Sequence, residues 1–211
     1  GFTVVKPVMV TSIKNYGTFE AMFKARLAAD GRTVERDMSL FGPPMDLLMK
    51  RCIDFISRNT DIKSRKRRKM FLSDLKNGYL HAYLSEENAI YMEIPKEFQP
   101  GGFSVPCVRI IKALYGLPTS GFDFYKYTKD ALVSEGWTAV DNFPSLYMKE
   151  INGEVLLLGT YVDDFYMMAP EKIGLIELEK LKKELADAKA AAGVDFNLAS
   201  PKQLGELLFD T

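Results

Sequence analysis

The chain is most informative at Gly159-Thr160-Tyr161-Val162-Asp163-Asp164-Phe165-Tyr166-Met167-Met168. Two adjacent aspartates stand between two apolar runs. Each run is rich in β-branched and aromatic residues and reads as a short buried strand. The pattern predicts a hairpin with the acidic pair at its tip. Two carboxylates among apolar neighbours are costly, because like charges repel and burial penalises each one. The arrangement calls for a positive partner, and a divalent metal ion bound to phosphates answers that call.

Working outward, Asn152-Gly153 separates two further apolar segments and is a strong two-residue hairpin signal. Residues 170–192 read as a helix with Leu178, Leu181, Leu185 and Ala188 on one side and charges on the other. Upstream, residues 122–134 read as a helix, 108–114 as a short apolar strand and 89–94 as another. Met70-Phe71-Leu72-Ser73-Asp74 is an apolar strand that ends in a carboxylate. Pro43-Pro44 opens a helix whose stripe of Met45, Leu48, Met49, Cys52, Ile53 and Ile56 predicts core contact. Residues 4–14 and 19–29 form a second predicted hairpin around Asn15-Tyr16-Gly17. Ser200-Pro201-Lys202-Gln203 has the form of a capping box. Strands and helices mix without βαβ alternation. The expectation is therefore α+β: an antiparallel sheet with helices packed on one face.

The bulk numbers narrow the function. The 211 residues suit one domain or two joined lobes, and 47 % hydrophobic with 27 % charged residues supports a packed core. Lys+Arg and Asp+Glu number 28 each, so any signal for nucleic acid must be local. Its strongest local form is the basic run from Lys63 to Lys69, which could track a phosphate backbone, contact another part of a parent polyprotein, or be a solvated loop. Cys52 and Cys107 are the only cysteines, which leaves no zinc spacing and no disulfide framework, and a single histidine, His81, argues against a His-based triad or a His-rich metal site. No apolar run is long enough to span a bilayer.

Asp74, Asp163 and Asp164 all end or interrupt apolar strands. Two metal ions about 4 Å apart need carboxylate oxygens from separate strands. Neighbouring strand residues point to opposite faces, so Asp163 and Asp164 share one metal only if the turn twists the chain. Asp74 would supply the third carboxylate. Taken alone, the pair is equally well read as an exposed acidic turn.

The surrounding blocks decide between those readings. Tyr161-Val162-Asp163-Asp164 resembles the YxDD signature of reverse transcriptases. Ser73-Asp74-Leu75-Lys76-Asn77-Gly78-Tyr79-Leu80, followed by Ile90-Tyr91-Met92-Glu93-Ile94-Pro95, is similar to a block of Ty1/copia-type retrotransposon polymerases. Ala113-Leu114-Tyr115-Gly116-Leu117 resembles that family's ALYGL, and Phe23-Lys24-Ala25-Arg26-Leu27 its YKARL. Four blocks in the family's order span nearly the whole chain.

The resemblance implies the fingers and palm of a polymerase right hand. Residues 1–73 would be mainly fingers, with the first palm strand entering. Residues 74–211 would be mainly palm, with a fingers segment near 85–120, and thumb and RNase H would be absent. The implied activity is RNA- and DNA-directed DNA polymerisation with two Mg²⁺ ions, for which Mn²⁺ can substitute. Asp74, Asp163, Asp164 and the Leu75 carbonyl would hold them, with Asp163 the principal ligand and Asp164 a partial ligand or a structural partner at the turn. Lys76 and Thr119 would line the nucleotide site, and Tyr79 would stack under the sugar and exclude a 2′-hydroxyl. Lys24 and Arg26, at alternate strand positions, would neutralise the triphosphate. Lys202 would protonate pyrophosphate. Tyr161, Gly116 and Leu117 would touch nucleic acid.

The implied partners are an RNA or DNA template with primer, deoxynucleoside triphosphates and the remainder of a polyprotein (thumb, RNase H, integrase), with no membrane. The implied locations are intracellular: a cytoplasmic virus-like particle and the nucleus. The chain departs from the family where Thr119 replaces a glutamine, Pro118 a lysine, Phe124 a tryptophan and Asp30 a basic residue. The Thr119 and Asp30 changes argue mildly for an alternative, a non-catalytic descendant that keeps the fold as a nucleic-acid-binding or scaffold module. The retained aspartate trio argues against it. An unrelated metal-dependent phosphoryl-transfer enzyme would explain the carboxylates but not the ordered blocks.

Overall fold

The computed structural model describes residues 3–35, 42–58, 68–85, 89–94 and 107–190, with side chains to residue 185. The basic residues 63–67, the Gly/Pro-rich residues 95–106, the capping box at 200–203 and Lys202 lie outside the described residues. In chain order the elements are β1 (Thr3–Val5), β2 (Pro7–Lys14), β3 (Met22–Ala29), α1 (Leu47–Arg58), β4 (Arg68–Asp74), β5 (Ile90–Glu93), β6 (Cys107–Arg109), α2 (Ser120–Ser134), β7 (Thr138–Ala139), β8 (Leu146–Ile151), β9 (Glu154–Tyr161), β10 (Asp164–Pro170) and α3 (Glu171–Ala190). The fold is mixed α+β, as expected.

The largest sheet has the order β4-β10-β9-β8-β7 and is antiparallel throughout. The β8–β9 hairpin turns on Asn152 and Gly153, with φ of 54° and 76°. Two consecutive positive φ values are what a primed two-residue turn requires, and Asn-Gly supplies them at low steric cost. Alternation then sorts the side chains. Phe165, Met167 and Ala169 join Leu156, Leu158, Leu132, Leu181 and Leu185 in one core beneath α2 and α3. Tyr166 and Met168 face the other way and join Met45, Met49 and Ile53 beside α1.

Helices therefore cover both faces of the sheet, which corrects the expectation of helices on one face only. An amphipathic helix specifies that it covers a face, not which one. The stripe predicted for α1 is also only partly right. Met45 and Ile53 are buried, while Leu48 and Ile56 are exposed.

A second sheet, β1-β5-β6, joins β1 to β5 in parallel and β5 to β6 antiparallel. Its core of Val5, Ile90, Met92, Ile110, Leu114 and Leu117 also takes in Ala29. The third sheet is the two-stranded ribbon β2–β3, paired from Pro7↔Ala29 to Lys14↔Met22. Its turn holds Asn15 and Gly17 at φ of 55° and 81°. Among the described residues, no helix is long and apolar enough to cross a membrane.

Candidate active site

The β9–β10 connection is Val162-Asp163, one residue earlier than an acidic tip would be. Tyr161 pairs with Asp164, which is the first residue of β10. Val162 has φ of 54°. A β-branched residue rarely adopts a positive φ, so the turn is strained, and surrounding contacts must hold it. One is a backbone bond in which the Leu75 N–H donates to the Asp163 carbonyl at 2.8 Å. The other is Gly78. A Cβ there would lie 2.9 Å from the Asp163 Cβ, so only glycine admits the turn this closely.

Asp74 and Asp164 are register partners on neighbouring antiparallel strands. Directly opposed residues share a face, so both carboxylates stand on the same side of the sheet. Asp163, from the turn, joins them electrostatically. Its carboxyl is held above the usual carboxylate range, first by burial and then by the charges of Asp74 and Asp164, while Arg26 acts in the opposite direction. This is a cluster of like charges with one nearby cation.

That cation comes from β3. The Arg26 guanidinium lies 5.4 Å from the centre of the Tyr115 ring. Tyr115 in turn meets Tyr79 at a centroid distance of 4.9 Å, and Tyr79 meets Phe124 edge-on at 5.7 Å. Both phenols are pushed up, by burial first and by the Asp163 charge second. Lys24 shares a face with Arg26, because their partners Ser12 and Val10 alternate along β2.

Gly116 fixes where the ribbon begins. It has φ of 93°, and a Cβ there would overlap the Ala29 carbonyl oxygen. Beside it, the Ala29 N–H donates to the Tyr115 carbonyl at 2.7 Å. All four sequence blocks thus converge on one place: Arg26 from the first, Asp74 to Tyr79 from the second, Tyr115-Gly116 from the third and Asp163-Asp164 from the fourth.

Other predicted residues stand apart. The Leu117 side chain is buried in the β1-β5-β6 core. Thr119 stands at the N-terminus of α2 without a side-chain cap bond, and its side chain bonds that of Asp123. Lys76 is exposed, and its carbonyl meets the His81 Nε2 at 3.0 Å. Tyr161 is exposed on the face that carries Asp164. In the sequence Tyr115 stands out only as part of a block. Its link to Arg26 and Tyr79 is long-range, and no local spacing announces it.

The donor set consists of hard carboxylate oxygens, which suit Mg²⁺ or Mn²⁺. Among the described residues, no three His, Cys, Asp or Glu side chains close around one point as a ready metal cage. Mg²⁺ is commonly bound through one or two carboxylates plus substrate phosphates, so the residues fit an ion that arrives with a nucleotide.

The chain is also similar to known proteins. A family model described as reverse transcriptase (RNA-dependent DNA polymerase) matches residues 6–198. The retrovirus-related Pol polyprotein from transposon TNT 1-94 of Nicotiana tabacum is 28 % identical over 168 residues, covering 78 % of this chain. The chain spans only 12 % of that polyprotein's length. With the family model spanning nearly the whole chain and its four blocks meeting at one acidic hairpin, the chain belongs to the reverse transcriptase family, as a copia-type retrotransposon reverse transcriptase region.

Proposed function

We propose that the chain is the fingers and palm of an RNA- and DNA-directed DNA polymerase within a retrotransposon polyprotein. Residues 1–73 are mainly fingers. Residues 74–211 are mainly palm, with a fingers segment near 85–120. The observation that carries this reading is the convergence of Arg26, Tyr79, Tyr115 and the three aspartates.

When bound, two Mg²⁺ ions held through Asp74, Asp163, Asp164 and the Leu75 carbonyl would acidify the primer 3′-hydroxyl and neutralise charge on the departing pyrophosphate. The chain's own residues do the positioning. Arg26 and Lys24 face the acidic hairpin from one side of the ribbon and hold the triphosphate against it. Tyr79, backed by Tyr115 and Phe124, is the floor under the sugar and rejects a 2′-hydroxyl. Gly78 keeps Asp163 against that floor. Tyr161 and the exposed Gly116 border the path of the template–primer. Lys202 is the proposed proton donor to pyrophosphate on the family pattern alone. Template–primer and deoxynucleoside triphosphates are the substrates. The thumb, RNase H and integrase of the polyprotein are the partners, in a cytoplasmic virus-like particle and the nucleus.

Primer extension tests the reading. With an RNA template, a DNA primer and Mg²⁺ or Mn²⁺, the chain should add deoxynucleotides, and Asp163→Asn should reduce the rate by roughly 10³-fold or more. Absence of extension with either metal contradicts the polymerase. Extension that survives Asp163→Asn contradicts the metal site. Tyr79→Ala should admit ribonucleotides.

A further inference from the structure

The sheet face that carries the aspartates does not stop at them. Moving along β10 away from Asp164, the next residue on that face is Tyr166, and its register partner on β4 is Leu72. Leu72 is 67 % exposed. One step further, Met168 and Met70 are covered by Met45, just before α1, and by Met49 and Ile53 of α1. The helix therefore closes one half of the face and leaves the acidic half open. The border between the halves is the Tyr166–Leu72 pair.

Lys50 of α1 stands on that border. Its ammonium lies 3.9 Å from the centre of the Tyr166 ring. Among the described residues its partner is this aromatic face and not a carboxylate. An ammonium held over a ring still has N–H donors that point away from it and can meet another acceptor. Its position beside an open apolar floor, on the face of an acidic cluster that calls for phosphate-bound metal, specifies that acceptor. It must be anionic, and it must run along the floor away from the aspartates.

A nucleic-acid strand whose 3′ end lies at the aspartates meets both conditions. Tyr166 lies two residues from Asp164, or roughly 7 Å at strand spacing. Nucleotides advance by about 3.4 Å along each strand of a duplex. We propose that Lys50 contacts a primer-strand phosphate about two nucleotides behind the 3′ end, with Leu72 against the adjacent sugar. The inference rests on the polymerase reading above, since that reading sets where the 3′ end lies. Lys50 is a positioning residue: it fixes the register of the primer and touches none of the reacting atoms.

The test reads binding, not chemistry. The 211-residue chain is titrated by fluorescence anisotropy against an RNA template–DNA primer, without nucleotide or divalent metal, across a salt series. Lys50→Ala should weaken binding about fivefold and lower the salt slope by about one. Lys50→Arg should restore both. A neutral methylphosphonate is then placed at successive primer and template linkages. On the unmutated chain the linkage two nucleotides from the primer 3′ end should carry a penalty, and on Lys50→Ala the same substitution should carry none. This comparison does not depend on the variant's stability, because each protein is its own reference.

An equal penalty in both proteins overturns the contact. A penalty that moves to a template linkage overturns the assignment to the primer. Tight binding with no effect of Lys50→Ala sinks this inference alone. No binding by the unmutated chain sinks the polymerase reading beneath it.

Discussion

The sheet that carries the aspartates and the ribbon that carries Arg26 and Lys24 are built on opposite plans. The sheet has five strands with helices on both faces, and its central strands β9 and β10 contribute Leu156, Leu158, Met167 and Met168, all fully buried. The ribbon has two strands and leaves Met9, Val10, Ile13 and Phe23 exposed, the last at 85 %. A two-stranded ribbon is marginal by itself, so it depends on its base, where Ala29 meets Tyr115 and Gly116. Negative charge thus stands on the stiff support and positive charge on the slight one. The anionic half of the site is thus fixed by packing on both faces of a sheet, while the cationic half is placed from the base of its ribbon, where Ala29 meets Tyr115 and Gly116 and joins the β1-β5-β6 core.

The comparison breaks first if the sheet's support is removed. Glu177 is 2 % exposed and bonds Lys149 of β8 at 2.6 Å and Lys180 at 2.8 Å. It ties α3 to the sheet. Glu177→Ala removes the carboxylate that neutralises Lys149, leaving it the Glu135 carbonyl at 2.6 Å, and should destabilise the chain by about 3 kcal/mol in urea unfolding. The exposed pair Glu179–Lys182 is a control, and Glu179→Ala should cost less than about 0.5 kcal/mol. The Glu177 carboxyl is held below the ordinary range: burial opposes this, and the bonds to Lys149 and Lys180 outweigh it. Its stabilisation is present at neutral pH and fades as pH falls through that lowered value.

The junction comes next. Gly116→Ala combines a disallowed φ with overlap on the Ala29 carbonyl. It should cost about 2 kcal/mol and detach the ribbon before the sheet melts, which hydrogen exchange of β2–β3 against β9–β10 would resolve. A smaller effect is expected from the cation itself. Arg26→Ala should raise KM for deoxynucleotide about tenfold with a lesser change in kcat, as steady-state extension would show. An unchanged KM would separate the ribbon from the nucleotide.

The smallest effect has the opposite sign. The Asp163 carboxyl is raised in the fold, chiefly by burial and then by Asp74 and Asp164. A raised carboxyl favours the folded state when protonated, and that benefit is lost as pH rises through its folded value. Asp163→Asn should therefore raise Tm at pH 7 by roughly 2 °C, with the gain shrinking in acid, where the native group is already neutral. Added Mg²⁺ and nucleotide should stabilise the unmutated chain and not this variant. A Tm lowered by Asp163→Asn would show that the carboxylate is a structural partner instead.

Much of this was legible in the sequence because the signals are local. Asn152-Gly153 announces its hairpin, and the alternation through Phe165 and Met167 announces a core strand. The halves of the site were legible as motifs, and the register of Asp74 with Asp164 brings them together. What stayed hidden is long-range. The parallel pairing of β1 with β5 and the face chosen by α1 depend on chain-distant contacts. Glu177 reads as one of the charges on the outer side of α3, yet it is buried because Lys149, 28 residues away, meets it there. Val162 gives no sign of a positive φ, since its side chain disfavours one. Tyr115 acquires a role only when the third block folds beside the first.

If the three aspartates act as one cation site completed by the nucleotide, Mn²⁺ binding followed by electron paramagnetic resonance will show it, with template–primer present and deoxynucleoside triphosphate added or withheld. Binding should be weak without nucleotide, reach two Mn²⁺ per chain with it, and lose at least one in Asp163→Asn. Tight Mn²⁺ binding that ignores both the nucleotide and the substitution would contradict it.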